Sequence, residues 1–272
     1  MNGKLGKVAI VTGASTGIGR AVAEALAGAG YQVFGTSRRP NGEGPRGVTM
    51  LACDVTDDAS VQALVAEVIR RAGHIDLLVN NAGMGLVGAA EESSIAQVRS
   101  LFEVNVFGVM RATNAVLPSM RQRRQGRIIN ISSVLGLIPT PFGAHYGATK
   151  HAIEGYSESL DHEVREYGIR VSLIEPAYTR STFEQNALEP DAPISTYDAA
   201  RAGARALISD MMATVADDPE VVAQAVLVAA RAAEPRRRYA AGKMARQTAL
   251  LRRFVPAGAF DKSLRKQMRL PA

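Results

Sequence analysis

A short apolar run, Val8–Val11, leads into Thr12-Gly13-Ala14-Ser15-Thr16-Gly17-Ile18-Gly19 and then into a stretch of helical spacing over 17–29, closed by Gly30. This strand–turn–helix order constrains the fold more than any other feature of the chain. Glycines at such a turn let the backbone come close to a pyrophosphate. The helix that follows offers free N–H groups and the positive end of its dipole. The spacing here is G-x-x-x-G-x-G rather than the commoner G-x-G-x-x-G. Glycines also serve tight strand–helix packing, but their place directly after an N-terminal strand favours nucleotide binding.

The rest of the chain continues the alternation. Further strands are predicted at 33–36, 50–53, Leu77–Asn80, 127–131 and 170–175, with helical spacing over 59–72, 95–124, 146–167 and 221–233. Strand and helix in strict turn specify an α/β fold, a Rossmann-type doubly wound parallel sheet with helices on both faces. No repeat or low-complexity linker interrupts the order, so 1–272 reads as a single domain. Within it, 1–176 is the nucleotide-binding and catalytic core. Residues 177–216, rich in Ala, Thr, Ser and Pro, follow a strand's carboxyl end and read as a substrate lid. Residues 231–272 form a basic extension.

Charge locates that extension. The net charge of +6 divides into +10 over 231–272, with 12 Lys/Arg against 2 Asp/Glu, and −4 over the preceding 230 residues. The body is mildly acidic and carries no nucleic-acid-binding motif, so no nucleic-acid partner is expected. Cys53 is the single cysteine, which excludes an internal disulfide and suits a reducing cytosol. No apolar run reaches the ~18 residues of a membrane span. The start, Met1-Asn2-Gly3-Lys4-Leu5, lacks a signal-peptide core. A cytoplasmic protein is expected. His74, His151 and His162 form no metal-ligand pattern, and no metal is expected.

The second constellation is Tyr146-Gly147-Ala148-Thr149-Lys150, with Ser133 and Asn105 upstream. Tyr146 and Lys150 are one helical turn apart on one face. A phenol with pKa near ~10 is a poor acid or base at neutral pH, and lowering it by about 2–3 units takes about 3–4 kcal/mol. An adjacent ammonium favours the phenolate, so Lys150 is expected to lower Tyr146. Singly, such residues are a packing tyrosine, a solvated lysine and a strand-end cap. Together, behind an intact nucleotide turn, they describe hydride transfer with a phenol as acid or base. His145 beside Tyr146 reads as pocket lining or structure.

On Thr12–Gly19, Asn80-Asn81-Ala82-Gly83, Asn105, Ser133, Tyr146 and Lys150, the chain resembles the short-chain dehydrogenase/reductase family, in particular its hydroxysteroid and retinol dehydrogenase branch. The resemblance implies that Tyr146 is the acid/base, that Lys150 tunes it and holds the nicotinamide ribose, and that Ser133 binds the substrate oxygen. Asn105 would hold a water linking Lys150 to solvent. For the cofactor it implies Gly13, Ser15, Thr16, Gly17, Ile18 and Gly19 at the pyrophosphate turn. Asp54 and Val55 would lie at the adenine, Asn81, Ala82 and Gly83 beside its ribose, and Pro176 and Thr179 near the nicotinamide amide. Ala177 replaces the family's usual glycine after Pro176. Leu135, Pro141, Phe142, Tyr178 and Phe183, with Ser133 and Tyr146, would line a pocket for a hydrophobic alcohol or carbonyl substrate. The family forms homo-oligomers, and one is expected here.

The second strand ends Thr36-Ser37-Arg38-Arg39, without the acid that pairs with a free ribose 2′-OH. A guanidinium suits a 2′-phosphate. Such a contact is worth about 1.5–3 kcal/mol, roughly 10- to 150-fold. Arg38 therefore favours NADP(H), with NAD(H) the alternative. A protein of another class, a non-catalytic NADP(H)-binding redox sensor, would keep the turn and lose the catalytic set. The intact set argues against it. In the extension, Phe260, Leu264 and Met268 recur every four residues against Lys262, Arg265, Lys266 and Arg269. This basic amphipathic helix is expected to dock on its own domain, with weak contact to an anionic membrane as a further use.

Overall fold

The computed structural model describes residues 6–40 and 44–267. Its strands are β1 Val8–Val11, β2 Gln32–Ser37, β3 Val48–Ala52, β4 Leu77–Asn80, β5 Gly126–Ile131, β6 Ile169–Pro176 and β7 Arg238–Ala241. All pair in parallel, in the order β3-β2-β1-β4-β5-β6-β7. The order reverses between β1 and β4, which opens a crevice at the carboxyl ends of the strands.

The helices are α1 Gly17–Gly28, α2 Asp58–Ala72, α3 Ile95–Phe102, α4 Gly108–Arg123, α5 Ala144–Val164, α6 Asp198–Thr214, α7 Pro219–Arg231, α8 Lys243–Phe254 and α9 Ala257–Gln267. Period-two alternation sorts them onto two faces. Val8 and Ile10 of β1 join Val61, Leu64 and Val68 of α2, Val116 and Met120 of α4 and Leu160 of α5. Ala9 and Val11 join Val22, Ala23 and Leu26 of α1 and Val222, Val226 and Ala229 of α7. Burying a branched side chain of this size contributes about 1.5–3 kcal/mol, so each face is held by several such terms. Local signals set the ends. Asp57 caps α2 by accepting from the Ala59 N–H at 2.9 Å, and Gly73 ends it at φ +79°.

The six predicted strands are present, and three elements were not foreseen. β7 lies inside the basic extension, where its leading arginine hides it; Arg238 is drawn in by Glu154, Glu158 and Glu175. α6 occupies the predicted lid and α8 the extension. The predicted helix over 95–124 is two helices joined by a π turn at Glu103–Phe107. α9 carries Phe260 and Leu264, both half-buried, while Met268 lies outside the described residues. Among the described residues no helix is long and apolar enough to cross a membrane.

Candidate active site

The nucleotide turn is closed by a hydroxyl that its motif does not include. Thr12, at the end of β1, accepts through Oγ1 from the Asn81 and Ala82 N–H groups at 2.9 and 3.0 Å. The Asn81 side-chain amide donates back to the Thr12 and Gly13 carbonyls at 2.9 and 3.0 Å. The Asn81–Gly83 run is thereby fastened to the glycine turn. A Cβ on Gly19 would overlap the Gly13 carbonyl oxygen and the Asn81 amide. Gly13 and Gly17 have φ of +65° and +53°, a conformation that favours glycine. Thr16 enters α1 in an extended conformation and makes no side-chain cap. The first N–H groups of α1 are therefore free for an anion.

Beside this turn a cavity of about 690 Å³ is lined by Ser15, Ser37, Arg38, Arg39 and Asp54. The Ser37 hydroxyl is buried without a hydrogen-bond partner. Among the described residues, neither Arg38 nor Arg39 forms a salt bridge. Asp54 accepts from the Thr56 N–H and hydroxyl at 2.9 and 2.7 Å. Those bonds, and more weakly the Arg38 charge, hold its carboxyl below the usual range. Val55 is buried against Gly108. Free N–H groups, an unpartnered hydroxyl and two guanidiniums without carboxylate partners fit a dinucleotide with an anionic ribose end.

The candidate catalytic residues converge at the ends of β4, β5 and β6. Ser133 is extended (φ −165°), and its Oγ accepts from the Leu135 N–H at 3.1 Å and bonds the Tyr146 phenol. Tyr146 and Lys150 share the first turns of α5. The Lys150 ammonium lies 5.5 Å from the Tyr146 ring centroid and donates to the Ile131 carbonyl at 2.9 Å. Burial lowers Lys150 to about 8, against the Glu154 charge, which raises it. The expected lowering of Tyr146 is not found in the protein alone. Burial raises the phenol well above its ordinary value, the Glu184 carboxylate adds to this, and only the Ser133 bond opposes it.

Asn105 sits in the π turn, an irregularity that recurs at functional sites. Its side chain accepts from the Met84 N–H and donates to the Met84 carbonyl, both at 2.9 Å. It also donates to the Thr149 hydroxyl at 3.2 Å, and Thr149 in turn donates to the Tyr146 carbonyl at 2.7 Å. Asn105 thus joins the segment after Gly83 to the helix of Tyr146. The His145 ring meets the Ala90 carbonyl at 2.8 Å, a structural contact.

The segment after β6 crosses this crevice. Pro176 is buried at its start, Thr179 is buried and bridges Asp217, and Ser181 sits over Gly17, whose Cβ would lie 3.0 Å from it. The Leu188 N–H then bonds the Gly85 carbonyl at 2.8 Å. The Phe183 and Tyr146 rings lie 5.8 Å apart. Leu135, Pro141, Phe142 and Tyr178 are half-buried, but Phe142, at φ +63°, turns its ring edge toward Tyr197 at 6.5 Å. Buried Glu92 anchors the far end by accepting from the Ala89 and Ile194 N–H groups and pairing with Arg201. Sequence reasoning missed Thr12, Thr149, Ser181, Glu92 and Glu184. Thr12 had a local signal, a hydroxyl at the strand end facing the turn; the others depend on contacts distant along the chain.

A glycine turn at the sheet's switch point, with a serine, tyrosine and lysine grouped beside it, defines a nucleotide-dependent oxidoreductase site. The short chain dehydrogenase family profile matches residues 7–193. The chain is 43% identical over 180 residues to 3-ketodihydrosphingosine reductase of Bacteroides thetaiotaomicron, covering 66% of each. It is 38% identical over 196 residues to retinol dehydrogenase 8 of Bos taurus, covering 67% of this chain and 62% of that one. The chain thus spans just under two thirds of the length of these relatives. A short-chain dehydrogenase from Streptomyces avermitilis superposes with a TM-score of 0.82 at 34% identity, over 98% of this chain and 96% of that one. Similar folds occur in a Burkholderia phymatum family member in complex with NAD (TM-score 0.72, 29% identity, 82% and 85% covered) and in a metagenomic one in complex with NADP (0.67, 28%, 86% and 95%). The chain belongs to the short-chain dehydrogenase/reductase family. It is a nicotinamide-nucleotide oxidoreductase of small-molecule alcohols or carbonyl compounds.

Proposed function

We propose that the protein is an NADP(H)-dependent oxidoreductase that interconverts a hydrophobic alcohol with its ketone or aldehyde. The observation that carries this reading is the Ser133–Tyr146 hydrogen bond, with the Lys150 ammonium beside the phenol. When bound, the nicotinamide supplies or accepts the hydride. In reduction the Tyr146 hydroxyl gives its proton to the substrate oxygen as negative charge develops there; in oxidation it takes that proton back. Ser133 donates to the same oxygen and polarises it. The Lys150 charge favours the phenolate left behind, and Asn105 holds the Met84 backbone and α5 in register around it.

Gly13, Ser15, Thr16, Gly17, Ile18 and Gly19 would hold the pyrophosphate. Asp54, Val55, Asn81, Ala82 and Gly83 would hold the adenosine, and Lys150, Tyr146, Pro176 and Thr179 the nicotinamide half. Arg38 in the cavity with Ser37 supports a 2′-phosphate and so NADP(H) over NAD(H). Residues 177–216 are the substrate lid, and Phe183, Tyr178, Leu135 and Phe142 support an apolar substrate. The names of the two relatives support carbonyl–alcohol chemistry. A screen of the purified protein with NADPH against ketones, aldehydes, steroids and quinones tests the reading. Turnover of at least one class is expected, and none across all of them contradicts it.

The extension supports a second, weaker role. α8 docks through buried Ala245, yet Leu250, Leu251 and Phe254 are 58, 53 and 71% exposed among Arg246, Arg252 and Arg253. An exposed apolar ridge among arginines suits an anionic membrane surface. Cosedimentation with anionic vesicles at low salt is the expected result, and none at low salt removes this role. A cytoplasmic homo-oligomer completes the reading.

A further inference from the structure

Glu184 is a carboxylate in the crevice that the chemistry above does not use. It follows Phe183, whose ring packs on Tyr146, in a segment fixed by Ser181 over Gly17 and by Leu188 on Gly85. The placement is close: a Cβ on Gly85 would come within 3.1 Å of the Phe183 ring. Glu184 is half-buried and, among the described residues, its side chain has neither a salt bridge nor a hydrogen bond. Its charge nevertheless reaches the hydroxyls of both Tyr146 and Tyr178. Desolvation alone holds its own carboxyl above the usual range. A carboxylate removed from water without a cation is costly, and a charged partner from outside relieves that cost.

We infer that Glu184 selects substrates bearing an ammonium group on the carbon next to the reacting centre: α-amino ketones and the matching vicinal amino alcohols, with an apolar remainder. The inference rests on the reading of Tyr146 as the acid/base. Ser133 and Glu184 both act on the Tyr146 hydroxyl. A substrate oxygen placed at Tyr146 and Ser133 therefore leaves its neighbouring carbon within reach of Glu184. The apolar remainder then lies against Phe183 and Tyr178. An ammonium also cancels the field by which Glu184 opposes the phenolate. A neutral substrate leaves that field in place. The same carboxylate thus favours the charged substrate and disfavours the neutral one.

The test uses the full chain with NADP+ and two long-chain alcohols, a vicinal amino alcohol and its analogue with methyl in place of ammonium. Wild-type kcat/KM is expected to favour the amino alcohol by about tenfold or more, the size of a charge-assisted contact. Glu184→Gln, which preserves shape, should turn over the amino alcohol more slowly and the methyl analogue faster. Loss of both activities together, or a preference that survives in Glu184→Gln, overturns the inference. Equal turnover of the two alcohols by the wild type overturns it and leaves Tyr146 as acid/base intact. Turnover of neither, with equal binding of both in calorimetry, overturns it as well. Tyr146→Phe, inactive on both alcohols in either case, separates failure at Glu184 from failure of the site reading.

Discussion

The two ends of the crevice are built from different material. At the nucleotide end backbone meets backbone: a side chain on Gly19 would overlap the Gly13 carbonyl, and one on Gly13 would come 2.9 Å from the Ala82 Cα. At the substrate end side chains meet side chains, with Phe183 over Tyr146 and Gly85, and Phe142 against Tyr197. A backbone contact admits one residue type, whereas a side-chain contact admits many. The reaction class is therefore written in the glycine turn and the substrate is not.

Putting the same substitution at both ends sharpens this contrast most. Gly19→Ala should weaken NADPH binding by more than about 100-fold, because backbone must move to admit the methyl. Gly85→Ala should change it by less than about threefold, since the Phe183 ring tip can give (fluorescence titration of each variant). A similar loss in both would erase the distinction.

The next largest effect lies beneath the substrate end, where buried Glu154 and Glu175 share Arg238. Burial, and then the Glu154 charge, raise Glu175 to about 7. The folded state thus binds a proton that the unfolded chain, with an ordinary carboxylate, releases at lower pH. The stability this contributes is complete below about pH 4 and is lost as pH rises through about 7. Glu175→Gln should melt higher than the wild type at pH 8, by on the order of 2–3 kcal/mol, and the gap should close near pH 4. A gap independent of pH would contradict the shared-proton account.

A smaller effect is expected at Arg38. Arg38→Leu should lower kcat/KM for NADPH by roughly 10- to 150-fold and leave that for NADH within about threefold. A wild-type preference for NADH would reverse the cofactor assignment.

The same difference in material explains what the sequence made legible. β1 and β4 were read to the residue because short apolar runs end at turn residues on both sides. Asn105, Ser133, Tyr146 and Lys150 were found through fixed local spacings. β7 was missed because its four residues begin with Arg238, whose burial depends on carboxylates about 60 to 85 positions away. The π turn was invisible because 102–108 keeps helical spacing on both sides of it. The lowering expected for Tyr146 considered only the lysine one turn away. Burial, which no local pattern reports, sets the phenol instead, together with Glu184 from the lid segment.

The central claim is that Tyr146 moves the proton while the glycine turn holds the nucleotide independently. Single-turnover reduction of a ketone accepted by the wild type, run beside an NADPH titration of Tyr146→Phe, tests it most directly. The account predicts NADPH affinity within about threefold of the wild type and a rate lower by about 100-fold or more. Reduction by Tyr146→Phe at a rate near the wild type would contradict it.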